Sequence, residues 1–254
     1  MKSDRSISVV MPVLTPNEFL RAMTEFAIKT LRINAENPKN FQLVVVEAGG
    51  EHFADRPDLW IDKYIAFNPP IGGVKELNAG IDVADGDFVV FTGNDIFVPP
   101  AWDTLLLEPF DKYPDCGISS LAAKESGVAT IGPPEKILGL IVEGMYSPFC
   151  MWRNKWRMDE AYHKIYQDSD LVMRMYQKGL RAYRNCGGHV FHLGRVTSDT
   201  VAPVQHARDL AIDEETFYQR WKDSPLMMFG LIRYSQWHYG QEHQSLLNPI
   251  HRHV

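Results

Sequence analysis

Cysteine, long apolar runs and basic excess are all scarce in this chain, and each shortage removes a class of protein. Cys116, Cys150 and Cys186 are the three cysteines of 254 residues and show no CxxC spacing. Neither a disulfide framework nor a structural zinc site is therefore indicated, and a reducing, cytoplasmic setting fits. No segment approaches the ~18 consecutive apolar residues of a membrane span. Met1 to Ser8 is polar where a signal peptide carries its apolar core, so a soluble, unprocessed protein without a transmembrane segment is expected. Against 32 acidic residues stand 26 basic ones, a net charge of −6. That balance repels nucleic acid at long range and offers no polybasic patch to a membrane. Internal repeats and low-complexity segments are absent too. What is there is a hydrophobic content of 45%, enough to bury the core of one large domain, with or without an appendage.

The first hundred residues alternate strand and helix patterns. Ile7 to Leu14 reads as a buried strand. Thr15-Pro16-Asn17-Glu18 then starts a helix, with Thr15 as N-cap and Pro16 in the first turn. Phe19, Leu20, Met23, Phe26, Ala27 and Leu31 recur at helical spacing along it. Phe41 to Val46 is a second apolar strand, closed by Glu47-Ala48-Gly49-Gly50, where two glycines permit a tight turn or close approach of backbone to a ligand. Gly72-Gly73 opens a short helix with Val74, Leu77, Ile81 and Ala84 on one face and Lys75, Asn78 and Asp82 on another. After an Asp85-Gly86 turn comes the strand Phe88 to Phe91, running through Thr92-Gly93-Asn94 into Asp95. Pro99, Pro100 and Trp102 begin a helix to about Phe110. Such alternation is the signature of a parallel sheet. In that architecture ligands bind at the carboxyl ends of the strands, where Asp95 stands.

Beyond Asp115 the pattern loosens into mixed strands and loops, with an aromatic stretch from Met145 to Trp156. Gln167 to Lys178 is a helix with Asp168 near its start and Gly179 as its stop signal. Gly187 to His192 is a short strand, Val204 to Trp221 an amphipathic helix, and the remainder has no clear periodicity.

Taken in order, these pieces resemble a GT-A glycosyltransferase of the family-2 kind over roughly residues 7 to 198. Ser8-Val9-Val10-Met11-Pro12-Val13 resembles that family's first strand, whose end touches the nucleobase. Val44-Val45-Val46-Glu47-Ala48-Gly49-Gly50 resembles its "VVDDGS" segment, with Glu47 in place of the acid that reads base or ribose. Gly72 to Gly80 is similar to its "ARNxG" helix near the diphosphate, and Gly93-Asn94-Asp95 stands at its DxD metal motif. Asp159-Glu160 and Gln167-Asp168-Ser169-Asp170-Leu171, with Arg174 and Gly179, resemble the region that carries its catalytic base. His192 sits where many members have a late metal-binding histidine, and Thr216 to Trp221 resembles a tail segment ending in "KW".

The resemblance implies an α/β fold of GT-A (Rossmann-like) type, a three-layer sandwich around a central, mostly parallel sheet with a C-terminal acceptor-side region. Residues 1–110 would form the nucleotide-sugar-binding half, 111–203 the acceptor-binding and catalytic half, and 204–254 a helical extension. It implies a metal-dependent, inverting transferase using a nucleotide diphosphate donor, with a UDP-sugar as the first choice. Asp95 and His192 would hold Mn²⁺ or Mg²⁺, since an oxygen-rich site with one imidazole suits either. Pro12, Val13, Thr15, Glu47, Lys75, Asn78 and Asn94 would line the donor site. Asp168 would be the base that takes the acceptor's proton, with its N-cap role and Asp170 as the competing readings. His189 is the competitor for His192.

Aromatic rings stack on sugars, so Tyr146, Phe149, Trp152 and Trp156 are acceptor-site candidates, Trp152 first among them, with a core or dimer seam as the alternative. Arg153, Lys155 and Arg157 alternate with them as a local basic cluster. The acceptor class stays open between glycan, lipid, protein and modified nucleic acid, and a homodimer is compatible. Departures from the family pattern are Gly93, Ala48, Gly50, Leu77 and Gln167. Two other readings stay open: a retaining transferase or nucleotidyltransferase, which share strand-end acids and a late histidine, and a non-catalytic sugar-nucleotide- or glycan-binding protein, for which Gly93 and Gln167 are the motivating departures.

Overall fold

The computed structural model describes residues 5–125, 141–143, 148–194, 196, 201 and 203–224. Its strands are β1 (Ile7–Leu14), β2 (Phe41–Ala48), β3 (Lys63–Phe67), β4 (Phe88–Phe91), β5 (Ile96–Phe97), β6 (Cys116–Glu125), β7 (Ile141–Glu143), β8 (Cys150–Arg153) and β9 (Arg181–His192). The helices are α1 (Glu18–Asn34), α2 (Gly73–Asp82), α3 (Trp102–Lys112), α4 (Gln167–Gln177) and α5 (Pro203–Trp221). Among the described residues one sheet runs β3-β2-β1-β4-β8-β6-β9-β5, with β7 added against β9. Strands β1, β2, β3 and β4 are mutually parallel. Strand β8 runs against both β4 and β6, while β6 and β9 are parallel. Six strands thus point one way, and the carboxyl ends of β1 to β4 share one edge.

Continuous apolar runs form β1 and β2 because helices cover both faces of the sheet. Val9, Met11, Leu43 and Val45 face a core shared with Ala27, Ile28 and Leu31 of α1 and Trp102, Leu106 and Phe110 of α3. Val10, Val44 and Val46 face the opposite core, with Val74, Leu77 and Ile81 of α2, Leu171, Val172 and Met175 of α4, and Phe217 and Trp221 of α5. Period-2 alternation through a sheet buried on both sides gives three layers.

Two expectations are corrected. Helix α1 is capped by Asn17, whose side chain accepts from Leu20 N, and not by Thr15, whose hydroxyl turns inward to Glu47. Phe19 and Phe26 lie outside the core, 62% and 56% exposed, because Leu20, Met23, Ala27 and Leu31 form the stripe that meets the sheet. The loose region after Asp115 holds β6, a ten-residue strand in the middle of the sheet. Gly179, the expected stop, does end α4 with φ 77°.

Candidate active site

Strand ends and the turns behind them bring most of the expected residues to the carboxyl edge. Asp95 follows β4 in a turn that leads into β5, and β5 pairs antiparallel with the end of β9, setting Ile96 opposite His192. Leu193 N donates to Asp95 O at 3.0 Å and closes that register. Asp95 Oδ2 and His192 Nε2 consequently lie 3.5 Å apart, with side chains 13% and 14% exposed. Two cis ligands of an octahedral cation at about 2.1 Å are about 3 Å apart, so this pair suits two of its six positions. Among the described residues no group of three His, Cys, Asp or Glu side chains forms a metal cluster. Oxygens from a ligand or water would have to complete the shell.

Gly93 explains itself in the same turn. A Cβ at that position would lie 2.7 Å from Asp95 Oδ1, so glycine is what lets the carboxylate fold back over the turn. Asn94, expected in the donor site, is 6% exposed, and its Nδ2 donates to Thr24 Oγ1 of α1 at 3.0 Å. It fixes the turn to the helix.

At the end of β2, Glu47 is 0% exposed. Its Oε1 accepts from Thr15 Oγ1 at 3.0 Å and pairs with His52 Nδ1 at 2.6 Å. Its Oε2 accepts from Tyr64 Oη at 2.8 Å and from Phe53 N at 3.2 Å. Burial pushes this carboxyl up, but the donors from His52, Tyr64, Phe53 and Thr15 outweigh it and hold it below its ordinary 4.5. Tyr64 is correspondingly raised, by burial first and by Glu47 second. Direct reading of a base or ribose by Glu47 is therefore corrected: the group is closed off by its own donors. Pro12 is half-buried and Val13 buried at the end of β1.

On α2, Lys75 is exposed. Asn78 instead turns inward: it donates to Met158 O and Glu160 Oε1 and accepts from Met158 N, all at 3.0–3.1 Å. It latches α2 to the segment before α4, so the expected donor contact by Asn78 is replaced by a structural one.

Asp168 is the second residue of α4 and 8% exposed; its Oδ1 accepts from Ser169 N at 2.5 Å. The N-cap is Tyr166, in the left-handed region with φ 65°, so Asp168 is not the cap. Its neighbourhood is marked by Cys150, whose thiol is raised by complete burial and then by the charge of Asp168. Cys150 pairs with Phe91, the last residue of β4. Asp170 is excluded as the base by its donors. Fully buried, it accepts from Arg174 Nε at 2.7 Å, Arg220 Nη1 at 2.9 Å, Trp221 Nε1 at 3.0 Å and Tyr162 Oη at 3.3 Å.

Residues 8–183 match the family model described as "Glycosyl transferase family 2". The chain belongs to glycosyl transferase family 2. It is a glycosyltransferase, and its sheet is the GT-A arrangement. S. aureus TarS residues 1–349 align with a TM-score of 0.58 at 13% identity, covering 95% of this chain and 83% of that one. TarS 1–349 in complex with UDP aligns with a TM-score of 0.57 at 16% identity, covering 91% and 78%. These likenesses carry the fold. No curated protein shows significant similarity to the chain.

Beyond the matched stretch, helix α5 carries residues that motif reading misses. Asp213 of α5, buried, accepts from His163 N at 2.8 Å, His163 Nδ1 at 2.9 Å, Lys164 N at 2.9 Å and Ile165 N at 2.8 Å. His163 O in turn accepts from Val74 N at the start of α2 at 3.4 Å. Phe217 of α5 stacks on Tyr166 with ring centroids 5.0 Å apart. Helix α5 thereby holds the loop that leads into α4, a long-range role with no local motif to announce it.

Trp152 is the clearest correction. It is 0% exposed in β8, between β4 and β6, and belongs to the second core, so no face is left for a sugar. Phe149 is likewise 0% exposed. Trp156 is half-buried, and Tyr146 lies outside the described residues.

Proposed function

We propose that the chain transfers a sugar from a nucleoside diphosphate donor, a UDP-sugar by preference, to an acceptor hydroxyl with inversion at the anomeric carbon. The observation that carries this reading is the meeting of Asp95 and His192 at the carboxyl edge of a family-2 sheet. The UDP complex of TarS supports the choice of nucleotide. Residues 1–110 would bind the donor and 111–203 would carry the acceptor and base, with the C-terminal helix as their support.

Asp95 and His192 would hold a divalent cation, Mn²⁺ or Mg²⁺. Such a cation supplies charge neutralisation to the departing diphosphate. Lys75, exposed near the start of α2, is the protein's own cation for the same phosphates. Asp168, at a helix start where the aligned amides favour the ionised form, takes the proton of the acceptor hydroxyl as that oxygen attacks. The departing diphosphate leaves from the opposite face. Water serves as the acceptor when no other is present. The free, buried cysteines Cys116, Cys150 and Cys186 fit a reducing cytoplasm. No helix among the described residues is long and apolar enough to cross a membrane.

The test is incubation with a panel of UDP-sugars with and without Mn²⁺, followed by NMR of the sugar's anomeric proton. Release of UDP that needs the metal, with the product of opposite configuration, is expected. Asp168→Asn keeps the fold and loses turnover. Metal-independent release, or retention of configuration, contradicts the reading.

A further inference from the structure

On the nucleotide-sugar reading above, the donor's base would lie by the ends of β1 and β2, and three observations there converge on His52. First, Glu47 is 0% exposed and both of its oxygens are taken by donors from Thr15, His52, Phe53 and Tyr64. It reaches no ligand itself. Second, an ionised carboxylate only accepts, so the His52 nitrogen facing Glu47 at 2.6 Å carries a proton, and in the Nδ1–H tautomer the lone pair sits on Nε2. Nε2 has no hydrogen-bond partner among the described residues, and the His52 side chain is 34% exposed. Third, a Cβ at Gly50 would lie 2.5 Å from His52 Cε1 and Nδ1 and 3.0 Å from Glu47 Oε1. Loss of a side chain at position 50, one of the departures from the family pattern, is thus the condition for the ring to stand where it does.

We propose that His52 is the residue that reads the donor base, its Nε2 accepting a hydrogen bond from the imide N3–H of a uracil or thymine, with Glu47 behind it as the positioning carboxylate. This rests on the nucleotide-sugar reading above and adds the group that selects the nucleotide. Cytosine presents a bare acceptor nitrogen at the same ring position and meets Nε2 lone pair to lone pair. A uracil methylated at N3 has no proton to give. Glu47 sets the tautomer, since a carboxylate admits only Nδ1–H, and the orientation of imidazole follows from the partner on its other nitrogen.

The experiment is isothermal titration of the full chain, with Mn²⁺ present, by UDP, dTDP, CDP and N3-methyl-UDP. One hydrogen bond to a ligand corresponds to about a tenfold change in Kd, so UDP or dTDP binds about tenfold more tightly than CDP and N3-methyl-UDP. UDP and dTDP against each other distinguish a uracil ribonucleotide from a thymine deoxyribonucleotide. In His52→Ala the preference over CDP collapses. Glu47→Gln, whose amide can donate to Nδ1 and move the proton to Nε2, lowers or reverses the ratio of UDP to CDP affinity. An altered fold alone would weaken both alike. Retention of the full preference in His52→Ala overturns the proposal, as does equal binding of UDP and N3-methyl-UDP by the unaltered chain. An unchanged ratio in Glu47→Gln overturns the role of Glu47. Binding of UDP without discrimination overturns this inference alone, whereas no binding of any nucleotide overturns the donor reading with it.

Discussion

Replacing Asp213 by asparagine tests whether the C-terminal helix is part of the catalytic frame. The carboxylate is buried and receives four donors from residues 163–165, three of them consecutive backbone amides. Asparagine keeps the size but offers one oxygen, and its amide group turns N–H toward N–H. Two of the four donors then lack a partner. A donor without a partner costs about 1–3 kcal/mol, and His163 and Lys164 are exposed enough to recruit water. A net loss of about 3 kcal/mol results. For a chain of this length that corresponds to a melting temperature lower by roughly 6–12 °C. The loop contacts the start of α2 and leads into α4, which carries Asp168, so turnover falls while UDP affinity, measured by calorimetry, is kept. Thermal denaturation followed by circular dichroism, with steady-state kinetics on the same samples, provides the check. A melting point within about 2 °C of the parent at unchanged turnover would refute the reasoning, because four hydrogen bonds of normal length would then contribute almost nothing.

Gly93→Asp restores the acid that the family motif expects, yet its Cβ would fall 2.7 Å from Asp95 Oδ1. Displacing a ligand in this way lowers Mn²⁺-dependent UDP affinity by about 10–100-fold, as shifts around a metal site do; a rise in affinity contradicts the geometry. Trp152→Ala empties a fully buried site and costs about 3–5 kcal/mol in urea denaturation. An acceptor-stacking role would instead raise the acceptor's KM at unchanged stability. Glu47 is held below its ordinary 4.5 by its donors against the push of burial. A depressed folded-state value means that its stabilisation is present above 4.5 and is lost as pH falls through the lowered value. Melting curves of the parent on the acid side should therefore fall more steeply than those of Glu47→Gln, and parallel curves refute the assignment.

How much could be seen in the residues depended on how locally each element was determined. Strands β1, β2 and β4 are continuous apolar runs because both faces of the sheet are covered, and such runs are legible without a structure. Helix α1 was legible as a helix but not in its orientation: it carries apolar residues around more than half its circumference, and only packing chooses Leu20, Met23 and Leu31 over Phe19 and Phe26. Strand β6 was hidden because Gly117, Ser119 and Ser120 carry no hydrophobic pattern, although the two serines are at most 1% exposed. Trp152 invited a surface reading as an aromatic ring that could stack on a sugar, but β8 is a central strand with neighbours on both sides. The pairing of Asp95 with His192 was legible through the family motifs and their order. Thr15, Glu47, Asn78 and Asn94 were found at the site but given contacts with a ligand, whereas each makes bonds within the chain. His52, His163 and Asp213 were missed because their partners lie in contacts that no spacing encodes.

The most direct measurement is Mn²⁺ titration by electron paramagnetic resonance in the presence of UDP, on the unaltered chain and on Asp95→Asn and His192→Gln. A shared cation predicts that each single substitution weakens Mn²⁺ binding by about 10–100-fold, the loss expected when one partner of a metal site is removed. Mn²⁺ binding as tight in both variants as in the parent would mean that these two side chains meet for another reason, and the account of this site as a metal-assisted sugar transferase would fall.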